Sequence, residues 1–114
     1  MAALADTVPG VTDAAGALRD AGGGRFRLVG AVTMATVTSL RSAGLRAFAQ
    51  GKGAIEVDLS GVGRADSGAL ALLIDWLAWA RAARRTLKFS SLPAALLALA
   101  RLSDVEDLLL GTGA

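Results

Sequence analysis

The chain is 114 residues long, 54% apolar and 19% charged, and its 12 basic residues against 10 acidic ones leave a formal charge of +2. That length builds one domain around a single core, and that composition belongs to a folded chain rather than a disordered one. Cysteine and histidine are both absent, which removes disulfides, thiol nucleophiles, imidazole bases and the commonest metal ligands and leaves carboxylates and hydroxyls as the plausible chemistry.

Residues 1–16 read as a loose lead-in, with no basic segment and no apolar run of signal-peptide or membrane-spanning length. A cytoplasmic protein without direct membrane insertion is the expectation. Residues 17–110 read as the folded domain. Ala17 to Asp20 suggest a short strand ahead of the turn Gly22-Gly23-Gly24, and Phe26, Leu28 and Val32 mark a second strand closing near Gly30. From Met34 to Gln50, the residues Val37, Leu40, Leu45 and Phe48 recur at helical spacing, and Gly51 and Gly53 end that helix. Ile55, Val57 and Leu59 alternate with Glu56, Asp58 and Ser60, the period of a strand packed on one face and wet on the other.

Ser60, Gly61 and Gly63 are expected to break that strand into a tight glycine loop. Asp66 and Ser67 then supply capping residue types at the head of a helix running from about Gly68 to Arg84. Leu87 and Phe89 alternate with Lys88 in a last strand. Pro93 can open a helix at its first turn, from Leu92 to Leu102, and Ser103 or Asp104 can cap a final one ending at Leu110. Strands separated by single helices predict an α/β fold, a small mixed sheet with neighbouring parallel strands. The alternation in the strands predicts helices mainly on one face.

The central helix carries two stripes of large side chains. Leu70, Leu73, Ile74 and Leu77 make an aliphatic one suited to the core, and Leu72, Trp76 and Trp79 lie nearly opposite. The second stripe is either a partly exposed partner surface, where tryptophan is enriched, or packing beneath neighbouring helices.

The run DLSGVGRADSGALALLIDW resembles the central motif of STAS domains, the fold of anti-sigma-factor antagonists and of the cytoplasmic tails of sulfate transporters. Within that family it is most similar to the MlaB-like branch, the cytoplasmic STAS subunits of Gram-negative phospholipid-transport ABC systems. The match runs through Arg64, Ala65, Asp66, Ser67, Gly68, Ala69 and Leu70 to Leu73. The resemblance implies a non-catalytic binding module with no cofactor. Its partner would be an MlaF-like ATPase in complex with a permease, and its contact residues Arg64, Asp66, Ser67, Gly68, Leu72, Trp76 and Trp79. Anti-sigma-factor antagonists place their phosphorylated hydroxyl directly before the glycine that precedes leucine. Alignment on Asp66 and Leu70 puts Gly68 there, whereas Ser67 matches the hydroxyl, commonly threonine, of the MlaB-like branch.

Each of these residues also has a plainer role. Asp66 or Ser67 caps the helix, Arg64 is a solvated loop charge, and Gly61, Gly63 and Gly68 serve turn geometry and close approach. Phosphorylation of Ser67 itself is the minor alternative, since a helix N-terminus favours a phosphate. Gly61 and Gly63 lack the rest of a dinucleotide fingerprint, a net charge of +2 gives no reason to expect nucleic acid, and a hydrolase built on Asp66 and Ser67 lacks a base and an oxyanion motif.

Overall fold

The structure, a computed structural model, describes residues 16–110, so the expected lead-in lies outside the described residues except for Gly16. The elements follow in the order expected: β1 (Ala17–Gly22), β2 (Arg25–Val32), α1 (Val37–Ala49), β3 (Ile55–Ala65), α2 (Ser67–Ala82), β4 (Leu87–Ser90), α3 (Ala94–Leu102) and α4 (Glu106–Leu110). They form an α/β domain around one four-stranded mixed sheet, ordered β1-β2-β3-β4. β1 runs antiparallel to β2, and β2, β3 and β4 run parallel. The β1–β2 turn is made by Gly22, Gly23 and Gly24, all at positive φ, a conformation that glycine adopts without the Cβ penalty of other residues.

Alternation in the strands sorts the two faces. Phe26, Leu28, Ile55, Val57, Leu59, Leu87 and Phe89 are buried, while Arg25, Arg27, Glu56 and Lys88 stay exposed. The helices therefore cover one face and leave the other wet, as the period-2 pattern predicts.

β3 departs from its expected form. It does not break at Ser60 but continues to Ala65, paired with β2 as far as Val32↔Ala65. The register with β2 shifts between Arg27 and Val29 and again between Gly30 and Ala31, each time with one extra residue on β3. These shifts are bulges, which bend a strand without ending it. Gly61 is needed for close approach rather than for a turn, because a Cβ there would lie 2.5 Å from Cγ1 of Val29.

Both stripes of α2 are packed, the second of the two readings of the aromatic stripe, and within it Trp79 alone keeps partial exposure. Leu72 and Trp76 are fully buried and Trp79 is half-buried, while Leu70 and Leu73 are buried and Ile74 and Leu77 half-buried. The cause is the flanking helix α1. Gly44 lets that helix approach so closely that a Cβ would fall within 2.6 Å of the Trp76 indole. Phe48 of α1 meets Phe26 and Trp76 edge-on, each at 5.2 Å between ring centroids. The Trp76 Nε1–H is directed at the Arg41 carbonyl oxygen, 3.4 Å away. The exposed line of α2 is instead Ser67, Ala71, Asp75 and Ala78.

The helix ends also differ from the expected ones. α1 begins at Val37 rather than Met34, after a turn held by Thr36, whose backbone N–H donates to the Thr33 carbonyl. α2 ends at Ala82, and Arg84 takes φ +59 while the Arg85 N–H returns to the Ala80 carbonyl at 2.7 Å. Arg85 does not serve its own helix dipole: its side chain donates to the carbonyls of Phe48 and Gly53, closing the end of α1. Ser103 is the C-cap of α3, not a cap for α4.

Candidate functional site

β3 delivers Arg64 and Ala65 to the carboxyl end of the parallel strands, beside Ala31 and Val32 of β2. In open α/β sheets this end collects binding sites. The chain then turns at Asp66, extended at φ −132°, into the first turn of α2. Asp66 is the N-cap. Its Oδ1 accepts from the Gly68 N–H at 2.7 Å, and its Oδ2 accepts from the Met34 N–H at 3.2 Å. One carboxylate thereby satisfies a free donor of α2 and ties the helix head to the β2–α1 loop.

Gly68 closes the same joint. It is buried, and a Cβ added there would lie 2.7 Å from the Met34 nitrogen and 2.9 Å from the Thr33 carbonyl carbon. Both neighbours are backbone, so a side chain at this position requires the loop to move. A hydroxyl of the anti-sigma-factor-antagonist type is therefore missing from position 68 and also has no room there.

The loop on the other side of the joint is held internally. The Thr36 hydroxyl donates to the Ala31 carbonyl at 2.9 Å and accepts from the Thr33 N–H at 3.0 Å, and the Thr33 hydroxyl accepts from the Ala35 N–H. With its ends fixed in this way, the loop projects Met34 outward, 67% exposed. Ser67, the first residue of α2, is exposed, and no described residue hydrogen-bonds to its hydroxyl.

The expected site residues thus divide. Arg64, Asp66, Ser67 and Gly68 come together at one corner, where Asp66 and Gly68 are framework and Arg64 and Ser67 are surface. Leu72 and Trp76 offer nothing to a partner. Trp79 lies about 18 Å along α2 from Ser67 at 1.5 Å per residue, half-buried against Phe48 with the Arg85 guanidinium 5.7 Å from its ring centroid. Met34 belongs to the corner and was not among the expected residues. Helical periodicity absorbs it into α1, and the signal for leaving it out is the Thr33-x-x-Thr36 spacing, which favours a turn held by side chains.

The corner presents a hydroxyl, a cation and an exposed thioether on a rigid joint. Such a surface suits recognition, and the neighbouring carboxylate of Asp66 is engaged by the Gly68 and Met34 N–H groups rather than by the Ser67 hydroxyl. Comparison with curated proteins returns no significant match. The family model described as the MlaB STAS domain matches residues 16–111, and the chain belongs to that STAS-domain family.

Proposed function

We propose that the protein is a non-catalytic STAS subunit that binds the ATPase of an ABC phospholipid transporter and modulates it, in an assembly that also holds a permease and maintains outer-membrane lipid asymmetry. The observation that carries this reading is the state of Ser67: an exposed hydroxyl on the first turn of α2, held by the Asp66 cap beside exposed Met34. The partner face would consist of Met34, Arg64, Ser67 and Ala71. It acts at the cytoplasmic side of the inner membrane through the ATPase, and it can bias that enzyme only by as much as its affinities for two ATPase states differ.

The alternative, an anti-sigma-factor antagonist switched by serine phosphorylation, is disfavoured by the closed space at Gly68. Ser67 is its one candidate acceptor at this corner.

The test is an affinity pull-down of the tagged full chain from its native cells, with Ser67→Asp and Met34→Glu copies alongside and mass spectrometry of what is retained. An ABC ATPase and permease recovered by the parent protein and lost from both variants is the expected result. A retained serine kinase, with no transporter subunit, would move the protein to the signalling branch.

A further inference from the structure

The chain carries two sulfur atoms, in Met1 and Met34, and no cysteine. Among the described residues Met34 is therefore the single thioether, and it is 67% exposed. The tryptophans, the other oxidisable side chains, are shielded by comparison: Trp76 is fully buried, and Trp79 is half-buried beside the Arg85 guanidinium. A two-electron oxidant reaching the described surface meets one soft, accessible group.

The backbone around that group is fixed. The Met34 N–H donates to Asp66 Oδ2 at 3.2 Å, which ties it to the head of α2. On either side, the Thr36 hydroxyl links the Ala31 carbonyl to the Thr33 N–H, and the Val37 N–H donates to the Thr33 carbonyl at 2.9 Å. None of these bonds uses the Met34 side chain, so a change at its sulfur leaves the joint intact. An adaptable apolar side chain held out in water on a pinned loop, at the same joint as exposed Ser67, has the character of an interface anchor.

We infer that Met34 is a modification site through which oxidation regulates the corner: its thioether enters an apolar recess of the ATPase, and conversion to the sulfoxide weakens that contact. The inference rests on the transporter reading above. The step is an oxygen-atom transfer from a peroxide. Sδ attacks one oxygen of hydrogen peroxide, the S–O bond forms as the O–O bond breaks, and the departing hydroxide takes the proton of the transferred oxygen and leaves as water. The sulfur is oxidised by two electrons and the peroxide is reduced by two. The product is a polar side chain with a strong acceptor. In the free protein water solvates that oxygen. Inside an apolar recess it has no donor, and affinity falls by at least about tenfold, the loss expected for one buried acceptor left unpaired. A methionine sulfoxide reductase, drawing on a thiol reductant, restores the thioether.

The test uses the tagged full chain in three forms. One is untreated, one is treated with hydrogen peroxide until peptide mapping shows the sulfoxide at Met34, and one is treated and then restored with methionine sulfoxide reductase and dithiothreitol. Each is titrated with the ABC ATPase that the untreated chain retains from its native cells. The oxidised form should bind at least about tenfold more weakly. The restored form should regain the untreated affinity, and all three should share one unfolding midpoint. In Met34→Leu the treated and untreated samples should bind alike, which separates Met34 from Met1. Met34→Gln, polar and not oxidisable at this position, should bind weakly without treatment and lose nothing more with it. Equal affinity of the untreated and oxidised chains would overturn the inference and leave the transporter reading standing. A peroxide-dependent loss that persists in Met34→Leu would place the effect at another residue and overturn it too. A midpoint that falls together with the affinity would show structural damage, with the same consequence. An untreated chain that retains no ATPase would remove the transporter reading and this inference with it.

Discussion

Replacing Trp76 by alanine should unfold this domain under mild conditions rather than produce a folded protein with a weakened partner surface. Trp76 is fully buried, packs edge-on against Phe48 at 5.2 Å, and sits directly against Gly44. Truncating a buried aromatic to alanine costs about 3–5 kcal/mol, and losing an edge-to-face pair accounts for about 0.5–1.5 kcal/mol beyond area burial. The site cannot collapse easily, because the indole fills the space between α1 and α2 and both helices are held elsewhere, by Phe48 on Phe26 and by the Arg41–Asp75 ion pair at 3.2 Å. A loss of about 4 kcal/mol is then expected, a large part of the ~5–15 kcal/mol that stabilises a typical domain. In urea, where m is about 1–3 kcal/mol/M for small proteins, the midpoint should fall by at least about 1.3 M. Tryptophan fluorescence of the variant reports Trp79 alone, so the transition is best followed by circular dichroism. A Trp79→Ala variant, half-buried at the start, should lose less. A Trp76→Ala protein with an unchanged midpoint but no partner binding would refute the packing argument and restore Trp76 to the interface.

Gly68→Ala should destabilise the domain by up to about 2 kcal/mol: an overpacked site costs about 1–3 kcal/mol, offset by the roughly 1 kcal/mol that alanine gains over glycine in a helix. Amide shifts at Thr33 and Met34 should accompany the loss, and a more stable variant would sink the close-contact reading. Asp58 is held below its ordinary pKa of 3.8, chiefly by the Ser60 N–H at 2.9 Å, then by the Ser60 hydroxyl at 3.0 Å and the Arg27 guanidinium. The lowered value makes its contribution full at neutral pH and lost as pH falls from about 3.8 through the folded-state value. Asp58→Asn should therefore flatten the acid limb of the stability curve while costing only about 0.5 kcal/mol at pH 7, because the carboxylate is exposed and screened. Parallel curves for the two proteins below pH 4 would contradict the assignment.

Element order, the one-sided sheet and the Asp66 cap were legible in the sequence because each is a local property: alternation, helical spacing, and a capping residue ahead of an apolar run. The errors came from features that depend on distant neighbours. Glycines at 61 and 63 are local breakers, yet β2 supplies a pairing partner along the whole segment, and the extra residues became bulges instead of a loop. The aromatic stripe of α2 stayed open between surface and packing because a helix on a sheet needs one apolar face, and nothing near Trp76 in sequence announces that Gly44, 32 positions earlier, makes room for a second helix. Met34 was lost to α1 by the same bias toward periodicity.

The corner separates two roles that a capping pair usually shares. A serine or aspartate at a helix head is ambiguous while either can accept from the backbone, and here Asp66 takes that role completely, with one oxygen on Gly68 and the other on Met34. Among the described residues Ser67 is thereby released from any structural hydrogen bond, and it can be changed without loosening the joint. If its hydroxyl is a partner contact, Ser67→Asp must alter affinity while leaving the unfolding midpoint within about 0.5 kcal/mol of the parent, as surface substitutions ordinarily do. A variant that lost affinity and stability together would show instead that the helix head itself had shifted, and the separation drawn between Asp66 and Ser67 would fail.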